Sequence, residues 1–273
     1  MRGCSDATHA NSRKRGAESA PLPIEGMTIA AWRKKPEAPE RRRKTTENVS
    51  RGAASARRRD LERALRAAAD PRRAASVAKF FKTGKGEYGE GDRFIGIPVP
   101  VLRKIARQHA ALGFDDLDRL LASPIHEFRS AALEILVAQY QAADEARRER
   151  IIAFYLRQTQ RMNNWDLVDT AAPCILGEHL KTRSRQVLYR LAVSKSLWER
   201  RIAMVATLAL IRSGEIEDAH RIAKKLLTND HDLIHKAVGW MLRESGKISE
   251  HQLVEFFAAE LFADSAHDAA LRH

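Results

Sequence analysis

The chain is poor in the residues that would commit it to several common designs. Only two of its 273 residues are cysteine, Cys4 in a polar leader and Cys174 in an apolar segment. A disulfide scaffold is therefore excluded, neither cysteine has metal-ligand spacing around it, and both are expected to be free thiols. No stretch approaches the roughly 20 apolar residues that a bilayer-spanning helix needs, and the N-terminus has no apolar signal-peptide core, so a soluble cytoplasmic protein is expected. Alternating β-branched runs are nearly missing after residue 60, which argues against a sheet. Clustered His, Cys, Asp or Glu at ligand spacing and cofactor fingerprints are missing as well, so neither metal nor cofactor is expected.

Positive charge, by contrast, is abundant. Lys and Arg total 48 against 35 Asp and Glu, a formal +13, with a sequence pI near 10.1. Such a balance points to a polyanionic partner, nucleic acid first, although charge alone would also permit an anionic membrane. The excess is uneven. Residues 1–58 hold Pro21, Pro23, Pro36, Pro39 and the runs Arg13-Lys14-Arg15 and Arg41-Arg42-Arg43-Lys44, and carry +8, which leaves +5 for 59–273. This leader is expected to be a disordered basic extension. It is either an arm that adds non-specific DNA affinity or an unconstrained appendage.

From about residue 60 the apolar residues recur at helical spacing, and about twelve short helices fill the remaining 215 residues. The expected fold is all-α. Four segments share a small residue in a similar frame: Arg129-Ser130-Ala131, Asp169-Thr170-Ala171, Arg201-Ile202-Ala203 and His235-Lys236-Ala237. Their alanines are 40, 32 and 34 residues apart, the length of a HEAT-like helix–turn–helix unit, so about six stacked helix pairs in an α-solenoid are expected. The residues two before each alanine (Arg129, Asp169, Arg201, His235) would then form one polar row. Such a row is either a solvated face or a binding track.

In Asn163-Asn164-Trp165-Asp166-Leu167-Val168-Asp169, Asn164 suits an N-cap and Trp165 opens the helix. Trp165 and Asp169, four apart, share a face. Taken alone, the pair reads as a core anchor and a dipole-favoured acid. Arg201 on the same row and Trp240 one turn along its own helix change that reading, because two aromatics, an acid and an arginine can then converge. Trp198, near the start of its helix, is expected in the core. Gly239 is unfavourable in a helix interior by roughly 1 kcal/mol, so it should permit close backbone packing or ligand access. The glycines at 84, 86, 89 and 91 follow no strand and end in no Gly-Lys-Ser/Thr, so they are expected to form a flexible loop over DNA rather than a nucleotide cradle. Glu87, Glu90 and Asp92 would face away from phosphate or cap the next helix.

Three segments, Phe80-Phe81-Lys82-Thr83-Gly84 through Asp92-Arg93-Phe94-Ile95-Gly96, Asn164 to Asp169, and Lys236-Ala237-Val238-Gly239-Trp240-Met241-Leu242-Arg243-Glu244, resemble those of the AlkD-like DNA alkylation repair family, over about residues 60 to 260. The resemblance implies a HEAT-like superhelix whose concave face holds duplex DNA, and a monomeric DNA glycosylase acting on alkylated bases. It places Trp165, Asp169 and Trp240 at the family's catalytic positions and Arg201 at its DNA-contacting arginine. Arg129, Arg243, Lys236 and His235 are expected to join Arg201 on the DNA. An N3- or N7-alkylated purine is already cationic, so one carboxylate can suffice for its release: at about 4 Å and an effective dielectric near 20, Asp169 would stabilise the cationic sugar by roughly 4 kcal/mol. The alternative is a non-catalytic HEAT-repeat protein that binds damaged, bent or branched DNA, and a third reading is a protein–protein scaffold with both tryptophans buried.

Overall fold

A computed structural model describes residues 44–270, with side chains described for 56–260. The helices are α1 (Lys44–Ala67), α2 (Pro71–Phe80), α3 (Val99–Gln108), α4 (Phe114–Leu121), α5 (His126–Ala142), α6 (Glu145–Arg157), α7 (Trp165–Ala171), α8 (Gln186–Ala192), α9 (Leu197–Arg212), α10 (Glu217–Leu226), α11 (Asp232–Gly246) and α12 (Glu250–Ala270). Among the described residues the fold is all-α, and strand-like pairing is limited to one bridge between Arg93 and Ile125. No described helix is long and apolar enough to cross a membrane.

The architecture is the stacked helix-pair solenoid that the alanine frame implies. In α5, α7, α9 and α11 the four frame alanines, Ala131, Ala171, Ala203 and Ala237, are all fully buried. A small side chain at each lets successive pairs approach closely. These four helices pack in series as an inner row, while α4, α6, α8 and α10 pair with them as an outer layer. A central example is α9. All its residues from Arg201 to Ile211 are buried, because it has a neighbour on each side and an outer helix behind, whereas a surface helix would keep a polar stripe.

Several expectations require correction. The leader was expected to be disordered through residue 58, but α1 begins at Lys44. From Ala53 onward its Ala- and Arg-rich sequence has high helix propensity and runs into the turns anchored by buried Leu61 and Leu65. Residues 1–43 lie outside the described residues. The helix that Trp165 opens passes from α7 into a π-helical stretch, Ala172–Gly177. Pro173 is the physical cause: it has no N–H to donate to the carbonyl of Asp169, four residues earlier, and the wider turn absorbs its ring. Cys174 is buried within this π-helical stretch. Cys4 lies outside the described residues.

The glycine expectation also divides. A Cβ at Gly239 would meet nothing within 4 Å, so close packing is not its reason and open access remains. Close packing belongs instead to Gly177, where a Cβ would lie 2.3 Å from the Ala206 carbonyl oxygen.

Candidate active site

The site begins with the cap of α7. The Asn164 side chain accepts the Trp165 amide at 2.8 Å, which starts the helix where the sequence suggested. One turn on, Asp169 projects from the same face. Trp165, Asp169 and Trp240 line a single groove of about 350 Å³, together with Phe81, Arg103, Glu134, Asp166, Pro173 and Arg212 among others. Both rings are partly buried rather than sealed in the core, so the scaffold reading, which required their burial, loses its premise.

Asp169 is held by Arg201 through a two-pronged ion pair. Arg201 Nε donates to one carboxylate oxygen at 3.0 Å and an Nη to the other at 2.9 Å, while its second Nη donates to the Leu233 carbonyl at 2.5 Å. Arginine's rigid fork suits this geometry, and it links three successive inner helices. Burial raises the Asp169 carboxyl above its ordinary range, and the Arg201 charge and hydrogen bonds oppose that rise. Each carboxylate oxygen has two acceptor directions, so two remain after Arg201 takes its share.

Arg201 is thus turned toward Asp169 and is only 5% exposed, which does not agree with an open phosphate contact. The same holds for Arg129, which is 4% exposed and bonded to Asp92 at 2.7 Å and the Ser123 carbonyl at 2.8 Å. Both arginines are consumed inside the solenoid, because the row they share lies at a helix–helix seam. His235, Lys236 and Arg243 are exposed. Lys236 and Arg243 flank Trp240 at i−4 and i+3, on the same helix face. Lys236 pairs with Asp232 at 2.8 Å.

Asp92, His126, Phe80, Phe81 and Phe94 organise this region. Asp92, buried, accepts from Arg129, from His126 Nδ1 at 3.3 Å, and from the amides of Asn163 at 3.2 Å and Asn164 at 3.4 Å. It therefore closes the glycine-rich loop onto α5 and α7, rather than capping α3. His126 bridges Asp92 to Asp166, with Nε2 2.7 Å from the Asp166 carboxylate. Burial pushes its pKa down, but the two carboxylates outweigh that and raise it to about 9. Phe81 stacks on Trp165 at 5.1 Å and on Phe94 at 5.0 Å, and Phe94 stacks on His126 at 4.5 Å. Phe80, 66% exposed, stands edge-on to Trp165 at 6.0 Å. The signal for this column was the pair Phe80-Phe81 directly before the glycines.

The loop itself is braced. Glu87 and Glu90 accept the amides of Gly84 at 2.7 Å and Gly86 at 2.9 Å, so these acids occupy the loop's own backbone donors. Tyr88 accepts the Trp165 indole N–H at 3.3 Å and lies edge-on to Trp198 at 6.1 Å. Trp198 is partly buried against the core. Arg103, bonded to Glu134 at 2.7 Å, and exposed Arg212 add charge to the groove.

An α-solenoid whose inner helices bring two indoles and an arginine-held carboxylate to one groove defines a helical-repeat protein with a candidate acid–aromatic site. A family model described as DNA alkylation repair enzyme matches residues 61–273, and the chain belongs to that family. Its fold is similar to that of a solved structure described as a predicted DNA alkylation repair enzyme from Enterococcus faecalis, with a TM-score of 0.57 and 19% identity over 70% of this chain and 89% of that one. No curated protein matches the chain significantly.

Proposed function

We propose that this protein is a monofunctional DNA glycosylase that hydrolyses the N-glycosidic bond of cationic N3- or N7-alkylated purines in duplex DNA and leaves an abasic site. The observation that carries the reading is the convergence of Trp165, Asp169 and Trp240 on one groove, in a chain of the DNA alkylation repair family. The C1′–N bond breaks with its electron pair leaving on the base, which becomes neutral, so no general acid is required. Water forms the new C1′–O bond and releases a proton to Asp169 and then to solvent.

Asp169 stabilises the positive charge that develops on the deoxyribose. Its ion pair with Arg201 offsets part of its charge, so its contribution falls below the roughly 4 kcal/mol of an unpaired carboxylate at about 4 Å. The pair in return fixes the carboxylate, and its charge opposes the rise in pKa that burial imposes. Trp165 and Trp240 offer aromatic faces to the cationic sugar, each contact worth about 0.5–2 kcal/mol. Lys236, Arg243, His235 and Arg212 bind phosphates, and the protein acts as a monomer on double-stranded DNA.

The test is release of free base from methylated duplex DNA, with Asp169→Asn binding the duplex but failing to release base. A second reading is favoured by the ion pair itself: both Asp169 oxygens engage Arg201, as they would in a non-catalytic protein that binds damaged, bent or branched DNA. Tight binding to undamaged branched DNA without base release would establish that reading.

A further inference from the structure

We propose that Tyr88, at the crest of the glycine-rich loop, is a positioning residue that fixes which way the Trp165 indole faces in the groove. Its consequence for base release rests on the glycosylase reading above. Trp165 is the first residue of α7 and is only partly buried, so its surroundings hold it less tightly than a core side chain. Phe81 stacks on it with the rings 14° from parallel, which sets the plane of the indole. Stacking does not set its direction within that plane. The torsion between Cβ and an aromatic ring is broad and roughly two-fold, and turning the indole over by half a rotation preserves the stack.

The N–H to Tyr88 hydroxyl bond removes that ambiguity. Only one of the two orientations points Nε1 at the loop, and the same orientation determines which ring edge lies along the groove toward Asp169. The loop is built to keep the hydroxyl there. Asp92 anchors its far end through four donors. At Gly89 the chain returns so close over α2 that a Cβ would lie 2.4 Å from the Phe81 carbonyl oxygen, and the Gly89 amide donates to the Lys82 carbonyl at 3.1 Å. Trp198 meets the tyrosine ring edge-on, with centroids 6.1 Å apart.

The test is Tyr88→Phe in the full chain, which keeps the ring and its contact with Trp198 and removes the acceptor. The indole N–H resonance of Trp165, assigned with Trp165→Phe, is expected to move upfield in proton shift and to exchange faster with deuterium. Single-turnover base release at saturating protein is expected to slow roughly 3- to 10-fold, the range for loss of one neutral hydrogen bond, with duplex affinity unchanged. A resonance that does not move overturns the inference, as does a shifted resonance with an unaltered release rate. If the wild-type protein releases no base at all, the glycosylase reading fails while the resonance still decides whether Tyr88 orients Trp165.

Discussion

Asp169 and Arg201 sit in equivalent positions of consecutive helical repeats, and there they meet as a bidentate ion pair with contacts of 2.9 and 3.0 Å. The pair is both structure and site: it ties α7 to α9, and through Leu233 to α11, while presenting a fixed carboxylate to the groove.

Removing one partner should expose that double role. Arg201→Ala leaves a nearly buried carboxylate without its counterion and should lower stability by about 3–5 kcal/mol in urea unfolding. Arg201→Lys should recover part of the stability but not the forked geometry, so base release should stay impaired. Equal stability of Arg201→Ala and wild type would show that the pair is not formed in solution.

The His126 bridge predicts a stability change with pH. Its pKa is raised from the usual 6.5 to about 9 in the fold, so the protonated histidine is stabilised by folding. That contribution is fully present below about pH 6.5 and is lost as pH rises through about 9, at most roughly 3 kcal/mol. Melting temperature should therefore fall across that window, and His126→Gln should flatten this part of the profile.

The basic residues divide by burial. Lys236→Ala, Arg243→Ala and Arg212→Ala should each reduce the slope of log affinity against log salt by about 0.9 for duplex DNA, with little effect on melting. Arg129→Ala should do the reverse, because its guanidinium is spent on Asp92 and Ser123. Fluorescence-anisotropy titrations at several salt concentrations separate the two groups.

Two helix glycines predict opposite outcomes. Gly239→Ala meets open space and should stabilise α11 by up to about 1 kcal/mol. Gly177→Ala would press on the Ala206 backbone and should destabilise by about 1–3 kcal/mol. If Gly239 serves close approach of DNA, the alanine variant should be the more stable protein and the weaker binder.

Much of the fold was legible because helical periodicity is local and the alanine frame repeats at solenoid length. That Trp165, Asp169 and Trp240 could share a groove was legible from the row and from helix geometry, Trp165 one turn before Asp169 and Trp240 one turn along its own helix, while their proposed role came from the family resemblance. What the row of Arg129, Asp169, Arg201 and His235 concealed was its depth. A period of about 34 residues aligns side chains, but it does not say whether they face solvent or the seam between helices, and two of the arginines lie in the seam. The contact of Asp92 with His126 was hidden for another reason: they are 34 residues apart, and a loop acid's partners depend on how the chain folds back. Pro173 carried a local signal for the π-helical turn, but the apolar pattern around it continues unbroken.

The central claim is that Asp169 acts on the reacting sugar and not only on Arg201. The direct measurement is single-turnover release of methylated base by wild type and Asp169→Asn, with duplex affinity and melting recorded for both. The account predicts that the asparagine variant stays folded, binds the duplex as tightly as wild type and loses release by about two to three orders of magnitude. Release by a folded Asp169→Asn at the wild-type rate would contradict it.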